Sequence, residues 1–434
     1  MSDSPYWNPA AETLPRAELE QVQLRGVRDV MTRALATDSM YGRRLKAAGV
    51  DPAKIGSLAD FAAAVPLTTK DDLRAEMDRT GHALPHLLVP EDEIVIAAPS
   101  AGTSGRQTFQ AFSAADRDIN REITTRLQWC CGFRPHDRLY AMVTPFTVFT
   151  HFLRDAAANV GMKWIMTDDH SMANIGRYID VSLMLKPTVM HVGIATLRAM
   201  MEVVTEEKGL DRFGAFRIAV ASGAEIGAEA RQEFRDRIGV EVYELAGQGS
   251  DFNLLCTECD QHDGLHWHGE DHQLVEIVDP DTGLPVPDGE IGEMVLTDFY
   301  RQSTPHIRWR TEDLFYAHPE PCGCGRTVKR FTCLGRVSNR VTVAGRAIYP
   351  YEIERCLSRS AEGRNREFSM VRQGDDQAKL VLRLVNPVKG DAAALGAAIA
   401  THVEGEMRVP VEVEFAEKLA MVGYKTLRVV DADA

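Results

Sequence analysis

Two groups of residues in this chain have types and spacings that could do chemistry. The first is the run "PSAGTSGRQTFQAFS", Pro99 to Ser113, in which small and hydroxylic residues precede one basic side chain and an apolar, strand-like stretch. Glycines let a backbone approach phosphate oxygens, hydroxyls donate hydrogen bonds to them, and Arg106 supplies a positive charge. The run lacks the Gly-Lys-Ser/Thr ending of a Walker loop. Taken alone, it reads equally as a phosphate cradle or as a surface turn. The second group is metal-binding in type. "CTECDQHDGLHWH" supplies Cys256, Cys259, His266 and His268, and "EPCGCGR" supplies Cys322 and Cys324. Thiolates and imidazoles in pairs suit a tetrahedral structural zinc, although neither half is a full zinc signature. The other reading is a set of reduced cysteines in turns. Cys130 and Cys131 fall in an apolar helical pattern and read as core.

The elements that must position these groups follow from periodicity. Residues 16 to 50 have helical apolar spacing, and "SLADFAAAVPLTTKDDLRAEM" reads as a capped helix, a turn at Pro66 and a second helix opening at Thr68 or Thr69. From about Glu93 short apolar runs alternate with helical segments: "EIVIAAP", "DRLYAMVTPF", "MKWIMTDD", "PTVMHVG", "FRIAVASG" and "EVYELAGQG". That alternation predicts an α/β sheet. Ligands gather at the carboxyl ends of such strands, where this sequence places Ser-Ala-Gly, Ser-Gly-Ala and Ala-Gly-Gln. After Leu265 the texture is β-rich and predicts a smaller β subdomain. From about Val337 the pattern predicts a separate α+β unit of roughly 100 residues.

Composition narrows the function classes. A chain of 434 residues, 44% hydrophobic and 26% charged, can bury a large core and form two or three domains. A formal charge of -14 makes nucleic acid a poor partner, since that binding runs on clustered Lys and Arg. Small molecules, including a nucleotide held by backbone N–H groups and a cation, fit better. No run of about 18 apolar residues suggests a membrane span, and the opening residues lack a secretion-signal pattern. The expected address is the cytoplasm. Eight cysteines, unevenly placed, argue against a disulfide framework. A homodimer is compatible, dimers being the commonest assembly of soluble proteins.

The order of six short motifs carries a resemblance. The Pro99 loop, "ASGAEI" (221–226), "RWRTEDL" (308–314), Gly335-Arg336, "AGRAIYPYEIE" (344–354) and "YKTLRVVD" (424–431) follow one another as in the adenylate-forming superfamily. Within it the chain resembles the phenylacetate–CoA ligase family over nearly its whole length, including the opening "YWNPAAETLPRAELEQVQLRGVRDVM" and "EDHQLVEIVDPDTGLPVPDGEIGEMVLT".

The resemblance implies an α/β fold: a large N-terminal adenylate-forming domain with a β subdomain, residues 1–336, and a small mobile C-terminal α+β lid, residues 337–434. It implies an ATP-dependent carboxylic acid–CoA ligase, with an aryl or arylacetic acid as the expected substrate. A carboxylate attacks the α-phosphate of Mg-ATP, pyrophosphate leaves, and coenzyme A then displaces AMP from the acyl-adenylate. The ATP-site residues carried over are Ser100, Gly102, Thr103, Ser104, Gly105 and Arg106 for the phosphates. Asp313 would accept from the ribose hydroxyls, and Arg336 would reach the ribose or phosphates. Gly223, Ala224, Glu225, Ala246, Gly247, Gln248 and Ser250 would wall the adenine and acyl region. Lys425 matches the family's mobile lysine in Gly-Lys-Ala-x-Arg-Val-x-Asp, whose ammonium bridges carboxylate and α-phosphate; an ordinary surface lysine is the alternative. Phe146, Phe149 and His151 fall where the family lines its carboxylate pocket, although aromatics at that spacing are as often core. Some members carry a zinc, which assigns Cys259, His266, Cys322 and Cys324 as ligands with Cys256 in reserve.

Departures from the family cluster at the site. An ungapped match to the family's Tyr-Gly-x-x-Glu gives Ala246-Gly247-Gln248-Gly249-Ser250, so the glutamate that helps hold magnesium is missing, and Asp251 lies one place further on. Arg106 stands for the usual lysine, and Ser338 for the usual hinge aspartate. The Gly-rich pocket segment is replaced by the bulkier "VTPFTVFTHFLRD". Two other readings remain: a ligase that hands the activated acyl group to a non-CoA nucleophile, and a divergent nucleotide-binding protein with little catalysis. Retention of Lys425, Asp313 and Arg336 favours the working ligase.

Overall fold

Helices open the chain: α1 (Pro9–Glu12), α2 (Arg16–Leu35), α3 (Met40–Ala47), α4 (Leu58–Ala64) and α5 (Lys70–Thr80). The structure is a computed structural model that describes residues 4–100, 106–142, 148–165, 175–207, 209, 213–223, 226–248, 254–363, 366–385, 391–422 and 425–432. Side chains at the helix starts explain the boundaries. Ser57 accepts from the Asp60 N–H at the head of α4, and Thr69 forms a capping box with Asp72 at the head of α5. Each satisfies donors that a first helical turn leaves without partners. The hairpin of β1 (Ile94–Pro99) and β2 (Phe109–Ser113) follows, and α6 (Ala114–Cys130) starts at a second capping box, Ser113 with Asp116.

Strands and helices then alternate as β3 (Arg138–Ala141), α7 (Val148–Val160), β4 (Lys163–Ile165), α8 (Ile175–Leu185), β5 (Val189–Gly193), α9 (Ile194–Glu202), β6 (Ile218–Ser222), α10 (Ala228–Ile238) and β7 (Glu241–Gln248). In space β4, β3, β5, β6 and β7 are neighbours in that order, all parallel. Successive strand residues face opposite ways, so each strand feeds two cores. Met190, Val192, Ala219 and Ala221 pack with Tyr178, Leu197 and Phe234 of α8, α9 and α10. Val189, Ile218 and Val220 pack with Leu127, Ala157 and Val160 of α6 and α7.

β7 pairs antiparallel with β8 (Leu254–Glu258), and β9 (Leu265–Trp267), β10 (Gln273–Val278), β11 (Ile291–Asp298), β12 (Trp309–Ala317) and β13 (Arg330–Arg336) extend the sheet. Its order is β10-β11-β12-β13-β9-β8-β7-β6-β5-β3-β4. The β-rich stretch after Leu265 is therefore the antiparallel half of one eleven-stranded sheet. β8 covers the backbone groups that the outer edge of β7 would otherwise expose.

The chain divides into two compact units, residues 1–311 with 316–332, and residues 312–315 with 333–434. The second contains the hairpin of β14 (Val341–Val343) and β15 (Arg346–Ile348), then α11 (Pro350–Ser358), β16 (Phe368–Arg372), β17 (Leu380–Val385), α12 (Ala392–Met407), β18 (Val411–Ala416), β19 (Met421–Val422), β20 (Lys425–Thr426) and β21 (Val429–Asp431). Its four-stranded sheet runs β18-β17-β16-β21. Ile353, Leu357, Leu382, Ile399 and Val403 form its core. Among the described residues, no helix is long and apolar enough to cross a membrane.

Candidate functional site

The β1–β2 hairpin holds the neck of the Gly-rich loop. Ser100 N donates to the Thr108 carbonyl at 2.8 Å, and Ser100 Oγ accepts from Thr108 N at 3.0 Å. The two ends of the loop are thereby fixed side by side. Arg106 pairs with Asp78 of α5, and its carbonyl accepts from Arg74 Nε and a terminal guanidinium nitrogen at 3.2 and 3.1 Å. Both members of the Arg106–Asp78 pair are exposed, so the pair is worth less than about 1 kcal/mol. Arg106 can exchange Asp78 for a phosphate at little cost. Arg74 and Asp78 were not foreseen. Their only sequence signal is a four-residue spacing on a charged helix, which many surface pairs share.

Gly223 follows β6 at φ +114°, a conformation that L side chains rarely adopt, and a Cβ there would meet Ile194 only at 3.9 Å. Backbone shape rather than space requires glycine at this carboxyl end. Ala246 and Gly247 lie on β7 opposite Cys256 and Leu255 of β8, with Gly247 at φ +136°. The Cys256 thiol donates to the Ala246 carbonyl at 3.4 Å. Behind this strand end Glu258 accepts from Arg231 at 2.6 Å and from Glu244 N at 2.8 Å, a buried charged network that fixes β7 to α10.

Asp313 on β12 and Arg336 at the end of β13, 23 residues apart, come together: Arg336 Nε lies 3.1 Å from Asp313 Oδ1, with Glu312 Oε2 at 3.5 Å from another guanidinium nitrogen. Glu312 sits at φ +62°. Left-handed backbone at a non-glycine residue costs free energy and concentrates at functional positions. Here it falls one residue before the carboxylate carried over for ribose binding.

On α7, Phe149 is half-buried and packs edge-on to His191 of β5, with centroids 6.4 Å apart, while His151 is exposed. Lys425 lies on β20, paired with Val422 of β19. Gly102, Thr103, Ser104, Gly105, Phe146, Ala224, Glu225 and Ser250 lie outside the described residues, as do Asp251 and the side chains of Gln248 and Lys425.

The structure brings Cys259, His266, Cys322 and Cys324 together, one donor atom from each lying within 4.8 Å of the others. Cys259 and Cys322 sulfurs are 3.7 Å apart, and Cys324 Sγ is 3.4 Å from His266 Nε2. Cys259 follows β8, His266 lies on β9, and the two later cysteines sit in the turn before β13. The turn is held from outside: Tyr6 donates to the Cys324 carbonyl at 2.8 Å, and Arg326 pairs with Glu12 at 2.8 Å. So dense a group cannot keep every proton. Hydrogen bonds from Cys259 and then His266 hold the Cys324 thiol well below its usual range. Burial pushes Cys322 up, but its hydrogen bonds with His266 and the Cys324 backbone, together with the His266 charge, bring it below its usual range. Three soft thiols and one imidazole within bonding reach of one point fit a closed, tetrahedral zinc site. Cys256 is engaged at Ala246, and His268 Nε2 lies 3.1 Å from Thr257 Oγ1 rather than in the cluster.

Comparison with known proteins gives the chain its family. The AMP-binding enzyme family matches residues 116–298. A phenylacetate–coenzyme A ligase of Thermus thermophilus is 30% identical over 363 residues, covering 81% of this chain and 78% of that one. The Escherichia coli K12 phenylacetate–coenzyme A ligase is 27% identical over 351 residues, covering 79% of this chain and 77% of its own. Among solved structures, a 2-hydroxyisobutyryl-CoA ligase in its postadenylation state with an acyl-AMP superposes with a TM-score of 0.87 at 26% identity, covering 99% of this chain and 93% of that one. The same ligase in its thioesterification state, with acyl-AMP and CoA, gives 0.72 at the same identity.

Proposed function

Because this chain belongs to the phenylacetate–coenzyme A ligase family of AMP-binding enzymes, and is an ATP-dependent acid–CoA ligase working through an acyl-adenylate, we propose roles for its own residues in that reaction. The observation that carries the reading is the likeness, over 99% of the chain, to a ligase holding its acyl-AMP. In the first step a carboxylate oxygen attacks the α-phosphorus and the bond to the β-phosphate oxygen breaks, releasing pyrophosphate. The loop from Ser100 to Arg106 grips the outer phosphates, with Arg106 passing from Asp78 to the nucleotide. Asp313 accepts from both ribose hydroxyls, a task for a carboxylate held in place by Arg336. The Lys425 ammonium offsets charge that builds between carboxylate and α-phosphate.

In the second step a CoA thiolate attacks the acyl carbonyl and AMP leaves. The two steps need different groups beside one carbonyl, so the unit carrying Lys425, for which residues 337–434 are the proposed lid, rotates between them. Gly223, Ala246 and Gly247 wall the adenine and acyl region, and Phe149 lines the acyl pocket. We take the acid to be aryl or arylacetic. Mg²⁺ accompanies the triphosphate and neutralises part of its charge. With Ser250 in place of the family's glutamate, Asp251, one residue further on, is the protein carboxylate proposed to serve it. The Cys259, His266, Cys322 and Cys324 cluster holds a structural Zn²⁺. The proposed setting is the cytoplasm.

A pyrophosphate-release screen of aryl, arylacetic and short aliphatic acids, each with and without CoA, tests the reading. An aryl or arylacetic acid should give pyrophosphate, with acyl-CoA as product. Lys425→Ala should lower ATP–pyrophosphate exchange about 100- to 1,000-fold while nucleotide binding persists. Exchange at the unsubstituted rate would remove the lysine from the mechanism. Silence from every acid would remove the substrate class.

A further inference from the structure

A second set of metal-type donors lies in the smaller unit, apart from every residue used above. Cys356 is in the last turn of α11, and His402 and Glu406 lie four residues apart on α12, hence on one helix face. One donor atom from each lies within 4.8 Å of the other two. Hydrogen bonds and ion pairs orient the trio. His402 Nε2 is 3.0 Å from the Cys356 carbonyl and 3.9 Å from Glu406 Oε1. Glu406 Oε2 is taken by Arg359 at 3.1 Å, which leaves Oε1 turned to the histidine. The cysteine is buried, whereas the histidine and glutamate side chains are 29% and 35% exposed. An ion from solvent therefore has an approach, and its sulfur side is shielded from water.

We infer that Cys356, His402 and Glu406 bind a divalent ion of the zinc class that clamps α11 to α12. Thiolate, imidazole and carboxylate together select a borderline-soft ion over magnesium or calcium, and three protein ligands leave the fourth tetrahedral position to water. Bonds of about 2.0 to 2.3 Å put tetrahedral donors about 3.5 Å apart. The trio must draw in by about 1 Å from its widest spacing, which the half-exposed Glu406 side chain allows.

Binding has two local costs, and the structure answers both. His402 gives up its hydrogen bond to the Cys356 carbonyl, but that oxygen still accepts the Arg359 N–H at 3.2 Å, so no buried acceptor is orphaned. The thiol proton must leave for solvent; burial first, and then the Glu406 charge, raise Cys356 to about 11, and a bound dication reverses the second effect. Arg359, by holding Oε2, aims Oε1 at the ion, a role of the kind that outer hydrogen-bonding partners play at metal sites.

The test is cobalt(II) titration of the full-length chain, followed through thiolate charge-transfer absorbance and bound-metal stoichiometry. The unsubstituted chain should take up one equivalent more than Cys356→Ser and one more than His402→Ala. Arg359→Ala should keep that equivalent but weaken it about 10-fold or more. His402 is on a half-exposed helix face, so its removal leaves the core packing intact and guards against misreading a folding defect at buried Cys356. Equal uptake by all chains overturns the site. Loss of uptake in Cys356→Ser with His402→Ala unchanged overturns it too.

Discussion

His191 shows how much one side chain can depend on its surroundings. It is 1% exposed on β5, sits between Phe133 and Phe149, and neither ring nitrogen has a hydrogen-bond partner among the described residues. Burial alone holds its pKa down to about 3, and burial is also the main cause that takes His86 to about 3. An unfolded histidine titrates near 6.5. Below that pH the unfolded chain binds protons that the folded chain refuses, so stability falls as pH drops from 6.5 towards 3, by about 1.4 kcal/mol per pH unit per histidine. Above 6.5 neither state binds the proton and the effect vanishes. His191→Met should flatten the fall in thermal midpoint between pH 6 and 4, and raise stability slightly at pH 7, since an unpaired buried polar ring is removed. Superimposable pH profiles for the two chains would show that the imidazole has a partner. At the candidate site, Asp313 and Arg336 stand out in sequence because their motifs are local, and the fold brings the two side chains into contact. Arg74 and Asp78 were not, because nothing in a charged helix says which of its faces meets a loop 30 residues on.

Among elements, the strands were the most legible. Every apolar run quoted between Glu93 and Gly249 contains a strand; five of the six lie in the large sheet, which is buried on both faces and needs continuous apolar stretches, whereas β1 belongs to a partly exposed hairpin. The caps were legible too: Ser57 and Thr69 start their helices where hydroxyl chemistry predicts. What the sequence did not reveal was that the β-rich run after Leu265 joins the same sheet, since pairing between β7 and β8 depends on an edge no local pattern marks. Asp116 ties elements that sequence leaves apart. It caps α6 together with Ser113, and its carboxylate also accepts from Gln302 N at 2.5 Å, Ser303 N at 3.2 Å and Ser303 Oγ at 2.5 Å. Thr69, by contrast, makes hydrogen bonds only within α5 among the described residues. Thr69→Ala should therefore cost about 1 kcal/mol. Asp116→Ala, which strands several buried donors, should cost about 3 kcal/mol or more. Thermal or urea midpoints measure both, and equal losses would mean that the Asp116 contacts to residues 302 and 303 contribute nothing.

At the scale of the whole molecule, the division into units ignores sequence order. The chain passes from the first unit to the second at 311/312, returns at 315/316, and passes again at 332/333. A fragment beginning at Val337 would leave behind Asp313 and Arg336, the pair joined at 3.1 Å. The cysteine cluster draws on both sides of the 312–315 excursion, Cys259 and His266 from before it and Cys322 and Cys324 from the returning segment after it. A protease nick near Gly323 would thus sever the backbone without parting the molecule. Each half would own a share of both units, and the two would migrate as separate bands in detergent yet elute as one species from a sizing column. Such a clipped enzyme behaves as a ready-made split protein, and spontaneous separation of the halves in native buffer would contradict the interleaving.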